Sequence, residues 1–309
     1  MFNSYLPKKD KKLEGRLDHW RLRAIGYTVL AVFWTVVTPL MAARMQYQVP
    51  ASVLDHWLVA TTIGIWPYIY AVAILTMFLL IELINAIIIS DRSYQYDERV
   101  DEIVARLAKM AGLDYIPEVV YIPTKHLINA GAGTSYLFGN KIILFGDIIK
   151  LKYEQLESVI SHETAHLRMG DVRVGHMLGS LMLSLRLVNL LIFLAGAAAV
   201  FVHDHEVLWF LSVTYIVTLV GSRIARACQL QVSRICEYRA DALAIHWTSP
   251  EHRQHLLDAL KSVRELSLVV ALRKSELNEI DSGTHPTMRN RAKSLGLFNI
   301  LQRFVAIGS

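Results

Sequence analysis

The chain is short of the features that mark secreted or ordinary soluble proteins. Of its 309 residues, only Cys228 and Cys236 are cysteine. On one helix, eight residues of rise would hold them about 12 Å apart. A disulfide tolerates about 7 Å between Cα atoms, so a bridge is excluded and reduced thiols facing a cytosol are expected. No further Cys or His stands beside them at metal-site spacing, so they are not read as zinc ligands. Charged residues are scarce at 19%, against 53% hydrophobic, a balance that points to a membrane protein with a substantial water-exposed part. The net charge is +5, yet no basic patch is interleaved with aromatics, and nucleic acid is not an expected partner. The basic residues cluster beside apolar runs, where lipid headgroups are the natural partners. Internal repeats and low-complexity segments are also missing.

What the chain does have is apolar runs. A basic N-terminal segment (residues 1–23, with seven Lys and Arg) precedes an uncharged stretch from Ala24 to Ala43. That run is about long enough to cross a bilayer, and its length and internal Pro39 mark a retained anchor rather than a signal peptide. A second run, Leu58 to Ser90, completes a first hairpin over residues 24–90. Glu82 and Asn85 in its later part are placed at the interface or in a projecting helix end. Runs Met177–Val202 and Val207–Gly221 are separated only by His203, Asp204, His205 and Glu206, which predicts a second hairpin over 177–222. Arg186 within it is read as buried against protein or near an interface. Lys and Arg favour the segments outside the two hairpin tips. Residues 1–23, 91–176 and 223–309 are therefore expected together in the cytoplasm.

Between the hairpins, Asp97–Ala111 has apolar residues at helical spacing and stops at Gly112. Strand-like pieces follow at 118–122, 127–130, 135–138 and 142–145, with Gly139-Asn140 as an expected hairpin turn. Asp147 can open the next helical region, and 154–169 reads as an amphipathic helix ended by Gly170. The fold class is thus mainly α with a small β-sheet: four transmembrane helices plus a cytoplasmic domain in two parts.

The chemistry lies in His162-Glu163-Thr164-Ala165-His166, an HExxH pattern. Residues four apart share one helix face, so two imidazoles can hold one Zn²⁺, and the intervening Glu163 can take a proton from an attacking water. A third protein ligand is needed. The three-histidine pattern fails, because Met169 and Val172 stand where Gly and His would be. His203, His205 and Glu206 fall on the far side of the membrane. Glu237 in Cys236-Glu237-Tyr238-Arg239-Ala240-Asp241 remains, with Asp241 one turn away to accept a hydrogen bond from a ligand ring. The competing reading, a surface helix pairing Glu237 and Asp241 with Arg234 or Arg239, loses once HExxH shares that side. Near the C-terminus, His285 and Arg291 in Thr284-His285-Pro286-Thr287-Met288-Arg289-Asn290-Arg291 suit either stabilisation of a tetrahedral intermediate or a plain helix start. Spacing does not separate the two.

The HETAH, Gly170-Asp171, EYRAD and HPTMRNR segments, in this order around two hairpins, resemble the HtpX-like membrane zinc endopeptidases, which are related to the CAAX prenyl endopeptidases. The resemblance runs from about residue 25 to about 297. It implies a gluzincin-type site with one zinc on His162, His166 and Glu237, Glu163 as base and Asp241 behind a ligand ring. It gives His285 and Arg291 to the reacting carbonyl or the substrate, and Asn129-Ala130 to an edge strand that an extended substrate joins. It further implies polypeptide substrates, membrane proteins above all, and a quality-control or stress-response role in the bacterial inner membrane. The chain departs from the family in having Gly131 where an aromatic residue follows Asn-Ala, and in its longer basic N-terminus. A site-2-type intramembrane protease lacks support, since the motif helix carries charge and no LDG occurs. A non-catalytic scaffold or adaptor is countered by the intact ligands and base, and a transporter by the absence of an evident polar pathway.

Overall fold

The computed structural model describes residues 11–46, 72–80, 83, 97–123, 129–135, 139–202 and 205–248. The chain divides into two compact units. The first holds residues 1–23, 84–173 and 233–309, and the second residues 24–83 and 174–232.

In the first unit, α2 (Glu98–Ala111; α1 is given below) buries Val100, Ile103, Val104, Leu107, Ala108 and Ala111 on one stripe, the spacing of an amphipathic helix. Its ends are fixed by local chemistry. The Asp97 side chain accepts from the Arg99 backbone N–H, and Gly112 takes the left-handed conformation at φ 65° that a side chain disfavours. Three strands follow: β1 (Glu118–Ile122), β2 (Asn129–Ser135) and β3 (Gly139–Phe145), in the order β1-β3-β2. β1 runs parallel to β3 in the register Glu118↔Lys141 to Ile122↔Phe145. β2 runs antiparallel, from Asn129↔Phe145 to Ser135↔Gly139.

Two expectations change here. Where two separate pieces were expected, β2 runs unbroken from Asn129 to Ser135 through Gly131-Ala132-Gly133, and Gly139-Asn140 belongs to β3 rather than to the turn; residues 127–128 and 136–138 lie outside the described residues. Pairing with the apolar β3 outweighs the poor strand propensity of glycine. Gly139 carries φ 75° at the first position of its strand, where glycine is the tolerant residue.

A 3-10 turn (Gly146–Lys150) leads into α3 (Tyr153–Met169). α3 packs on α2, β2 and β3. The core joins Ile103, Leu107, Ile142, Leu144, Ile148, Leu156 and Ile160, among others. Each such side chain contributes about 1.5–3 kcal/mol on burial. Arg106 of α2 bridges to buried Glu157 of α3 at 2.7 Å, and Lys141 of β3 to Glu118 of β1 at 2.9 Å.

The remaining helices are long. α1 (Lys11–Gln46) joins the basic segment and the first apolar run in one helix. α4 (Asp171–Val202) and α5 (His205–Trp247) carry the second pair of runs. Among the described residues, two helical stretches, Asp171–Ala197 and Leu211–Trp247, are long and apolar enough to cross a membrane. Residues 72–80 are helical. Most of the second run, including Glu82 and Asn85, lies outside the described residues, so four spans remain an expectation. Within the second unit Met182, Leu185, Val188, Ile192 and Ala225 form a small core, with Trp34 and Ile74 against it. Large apolar side chains such as Phe193, Leu194, Ile216 and Val220 are exposed. Arg186 is exposed on α4 rather than buried against protein.

Candidate active site

Two helices of the first unit supply the site. α3 presents His162 and His166 one turn apart, and the far end of α5 presents Glu237 and Asp241 one turn apart. Small side chains let the helices approach: Ala165 and Ala240 are fully buried in one cluster with Ala111 and Trp247. The Ser161 hydroxyl donates to the Ala244 carbonyl at 3.2 Å, tying the two helices directly.

The imidazole Nε2 atoms of His162 and His166 lie 3.1 Å apart. Glu237 sets one carboxylate oxygen 3.4 Å from the first and the other 3.7 Å from the second. Tetrahedral zinc with ligand bonds near 2.0–2.1 Å would separate its ligand atoms by about 3.3 Å. The spacing and the N,N,O donor set therefore fit a divalent ion, and these three residues form a group able to hold one.

The outward ring nitrogens also face carboxylates. His162 Nδ1 stands 3.0 Å from Asp241 Oδ1. The two atoms lie within hydrogen-bonding distance, but no hydrogen bond is completed at this nitrogen. His166 Nδ1 stands 3.3 Å from Asp171 Oδ2. Carboxylates in this position fix a ring's tautomer and orientation. Gly170 makes the second contact possible. At φ 68° its N–H caps the His166 and Leu167 carbonyls and ends α3, so that Asp171 starts α4 beside the ring. Arg239 holds the other Asp171 oxygen at 3.4 Å. The sequence offered Gly170-Asp171 as a marker without a role, and its place directly behind HExxH was the available signal.

Glu237, Asp171 and Asp241 are buried around the two rings, and Glu163 is buried on α3 between them in sequence. Burying carboxylates without a counter-charge is costly. Burial pushes the His162 imidazole down, but Asp241 and Glu237 more than reverse this and raise it to about 10. The field at that ring favours a cation.

Beside the rings, His166, Arg168, Gly170, Tyr115 and Thr134 help line a cavity of about 320 Å³. Thr134 donates to Asn140 at 2.6 Å, and Asn140 donates to Tyr115. Asn129 and Ala130 open β2, which among the described residues pairs on one side only. Trp20 of α1 packs on Tyr238, next to Glu237, with ring centroids 6.1 Å apart, and the Arg16 guanidinium sits 5.0 Å over Trp20. The basic N-terminal extension thus reaches the helix that bears Glu237. His285 and Arg291 lie outside the described residues.

A helix-borne HExxH pair, a carboxylate from a second helix and a carboxylate behind each ring describe a candidate metallopeptidase centre. The model of peptidase family M48 matches residues 94–296, about two thirds of the chain. The protein belongs to that family, which contains the HtpX and CAAX prenyl endopeptidase-like proteases. Comparison with curated proteins and with solved structures gave no match.

Proposed function

We propose that this M48 peptidase is an HtpX-like, membrane-embedded zinc endopeptidase that cuts membrane or misfolded proteins on the cytoplasmic side, in membrane-protein quality control. The observation that carries the reading is the convergence of His162, His166 and Glu237. His162, His166 and Glu237 would hold one zinc ion per chain, with Asp241 and Asp171 orienting the rings. When bound, the ion supplies Lewis acidity, acidifying a water and polarising the scissile carbonyl. Glu163, buried on the same helix, accepts the proton of the attacking water and returns it to the leaving amine. His285 and Arg291 are given to the negative charge that develops on the carbonyl oxygen. Asn129 and Ala130, at the start of β2, are given to an extended substrate strand. The runs of exposed apolar residues on α4 and α5 support insertion in a lipid bilayer.

Metal analysis of the full-length protein tests the ligand set. Wild type is expected to carry one zinc, and Glu237→Gln to lose most of it; full zinc in that variant would overturn the third ligand. Chelation should stop cleavage of an unfolded reporter protein and added Zn²⁺ should restore it. Cleavage that persists after chelation would overturn the mechanism.

A further inference from the structure

A second cavity, of about 560 Å³, lies in the second unit between α4 and α5, within the range of about 300–1,000 Å³ typical of small-molecule sites. Its walls are graded. One end carries Arg186, Arg223 and Arg226 with Asn189 and Ser222, and the other carries Phe193 and Tyr215, whose ring centroids lie 6.0 Å apart. Arg186 and Arg223 are exposed. Arg226 donates to Gln229 at 2.6 Å. Asn189 is only 9% exposed, and its amide nitrogen donates weakly to Ser222 at 3.4 Å, while its Oδ1 has no partner among the described residues.

Helix geometry places these groups in depth. From Arg186 to the end of α4 at Val202 is about 24 Å, and from the start of α5 at His205 to Arg223 about 27 Å. A hydrocarbon core is about 30 Å thick. If the hairpin tip stands at one face of the bilayer, the arginines stand at the headgroup level of the other, and Phe193 and Tyr215 stand near mid-depth. An unpaired guanidinium in hydrocarbon costs several kcal/mol, whereas a phosphate at the interface matches its donor fork.

We propose that this cavity binds one anionic phospholipid, its phosphate between Arg186 and Arg223 and an acyl chain along Phe193 and Tyr215. The inference rests on α4 and α5 spanning the membrane and needs no peptidase activity. The Arg226 and Asn189 side chains flank the headgroup, and the free Asn189 oxygen accepts from a headgroup hydroxyl.

Full-length protein in detergent is titrated with dioctanoyl phosphatidylglycerol, dioctanoyl phosphatidylcholine or inorganic phosphate, and adducts are counted by native mass spectrometry. One phosphatidylglycerol adduct is expected, with phosphatidylcholine at least tenfold weaker and no phosphate adduct. Arg186→Gln with Arg223→Gln should weaken phosphatidylglycerol binding at least tenfold. Arg186→Lys with Arg223→Lys keeps the charge but not the donor fork, and should bind more weakly than wild type and more tightly than the Gln pair. Unchanged binding in the Gln pair, equal binding of the two lipids, or an equal loss in the Lys pair would overturn the site. Phosphate bound as tightly as the lipid would overturn the lipid as its source. Zinc content read on the same samples keeps failure here separate from failure of the peptidase reading.

Discussion

The two units differ in where their polar groups find partners. In the first, several bonds cross between elements: Ser161 to Ala244, Arg106 to Glu157, Lys141 to Glu118, Arg239 to Asp171. In the second, the described hydroxyls mostly turn back on their own helix: Ser180 to the His176 carbonyl, Ser184 to Ser180, Ser212 to Leu208, Thr218 to Thr214. Ser158 and Thr164 of α3 do so as well, and the weak Asn189–Ser222 bond of the second unit crosses between helices. A hydroxyl satisfied by its own helix asks nothing of its surroundings, which suits hydrocarbon. A polar group satisfied across elements fixes geometry, which a catalytic centre requires. The contrast separates an apparatus that positions charge from a support that hides it.

The largest effect that would sharpen this contrast is expected at Glu163. Glu163→Gln should lower kcat by about 10²–10⁴-fold in a peptide-cleavage assay with zinc content unchanged; normal turnover would show that the positioned carboxylate is not the base. Next come two matched truncations, followed by chemical unfolding in detergent. Leu107→Ala in the packed core should cost about 2–5 kcal/mol. Leu194→Ala on the exposed face of α4 should cost under about 0.5 kcal/mol. Equal costs would erase the distinction between the units. Asp241→Asn should weaken zinc binding by about 10–100-fold in a competition titration with a chromogenic chelator.

The smallest effect is at the head of α2. Asp97→Ala should cost about 1 kcal/mol. The Arg99 side chain beside Asp97 holds its carboxyl below the ordinary value. A lowered folded-state value means that this contribution is present above about pH 3.9, the unfolded carboxylate value, and is lost as pH falls through the folded one. The gap between wild type and variant should therefore close in strong acid, and a gap that widens there would reverse the sign.

Legibility in the sequence followed the range of the forces involved. α2 was readable to within a residue at its start and to its stop at Gly112, because its apolar stripe and its glycine act locally; that Asp97 caps rather than begins the helix was not read. The HExxH pair was readable because both rings depend on one helical period. The continuity of β2 was not, since Gly131 and Gly133 argue against a strand until β3 lies alongside. Nor was the length of α5, whose apolar run and Glu237 segment looked separate across Gly221. The contact of Asp171 with His166 depends on the left-handed turn at Gly170, which sequence hints at without showing what the turn aims. The approach of α3 to α5 through Ala165 and Ala240 is tertiary, and alanine spacing in one chain does not announce it.

The distance along the chain between the ligands has a consequence for synthesis. A growing polypeptide that ends before α5 possesses His162, Glu163 and His166 but lacks Glu237, and two nitrogens alone hold a divalent ion poorly. The three-residue group is therefore incomplete until translation has passed Glu237, by which time the whole apolar hairpin has been synthesised. On the proposed ligand set, hydrolysis cannot begin before both long apolar helices, α4 and α5, have been made.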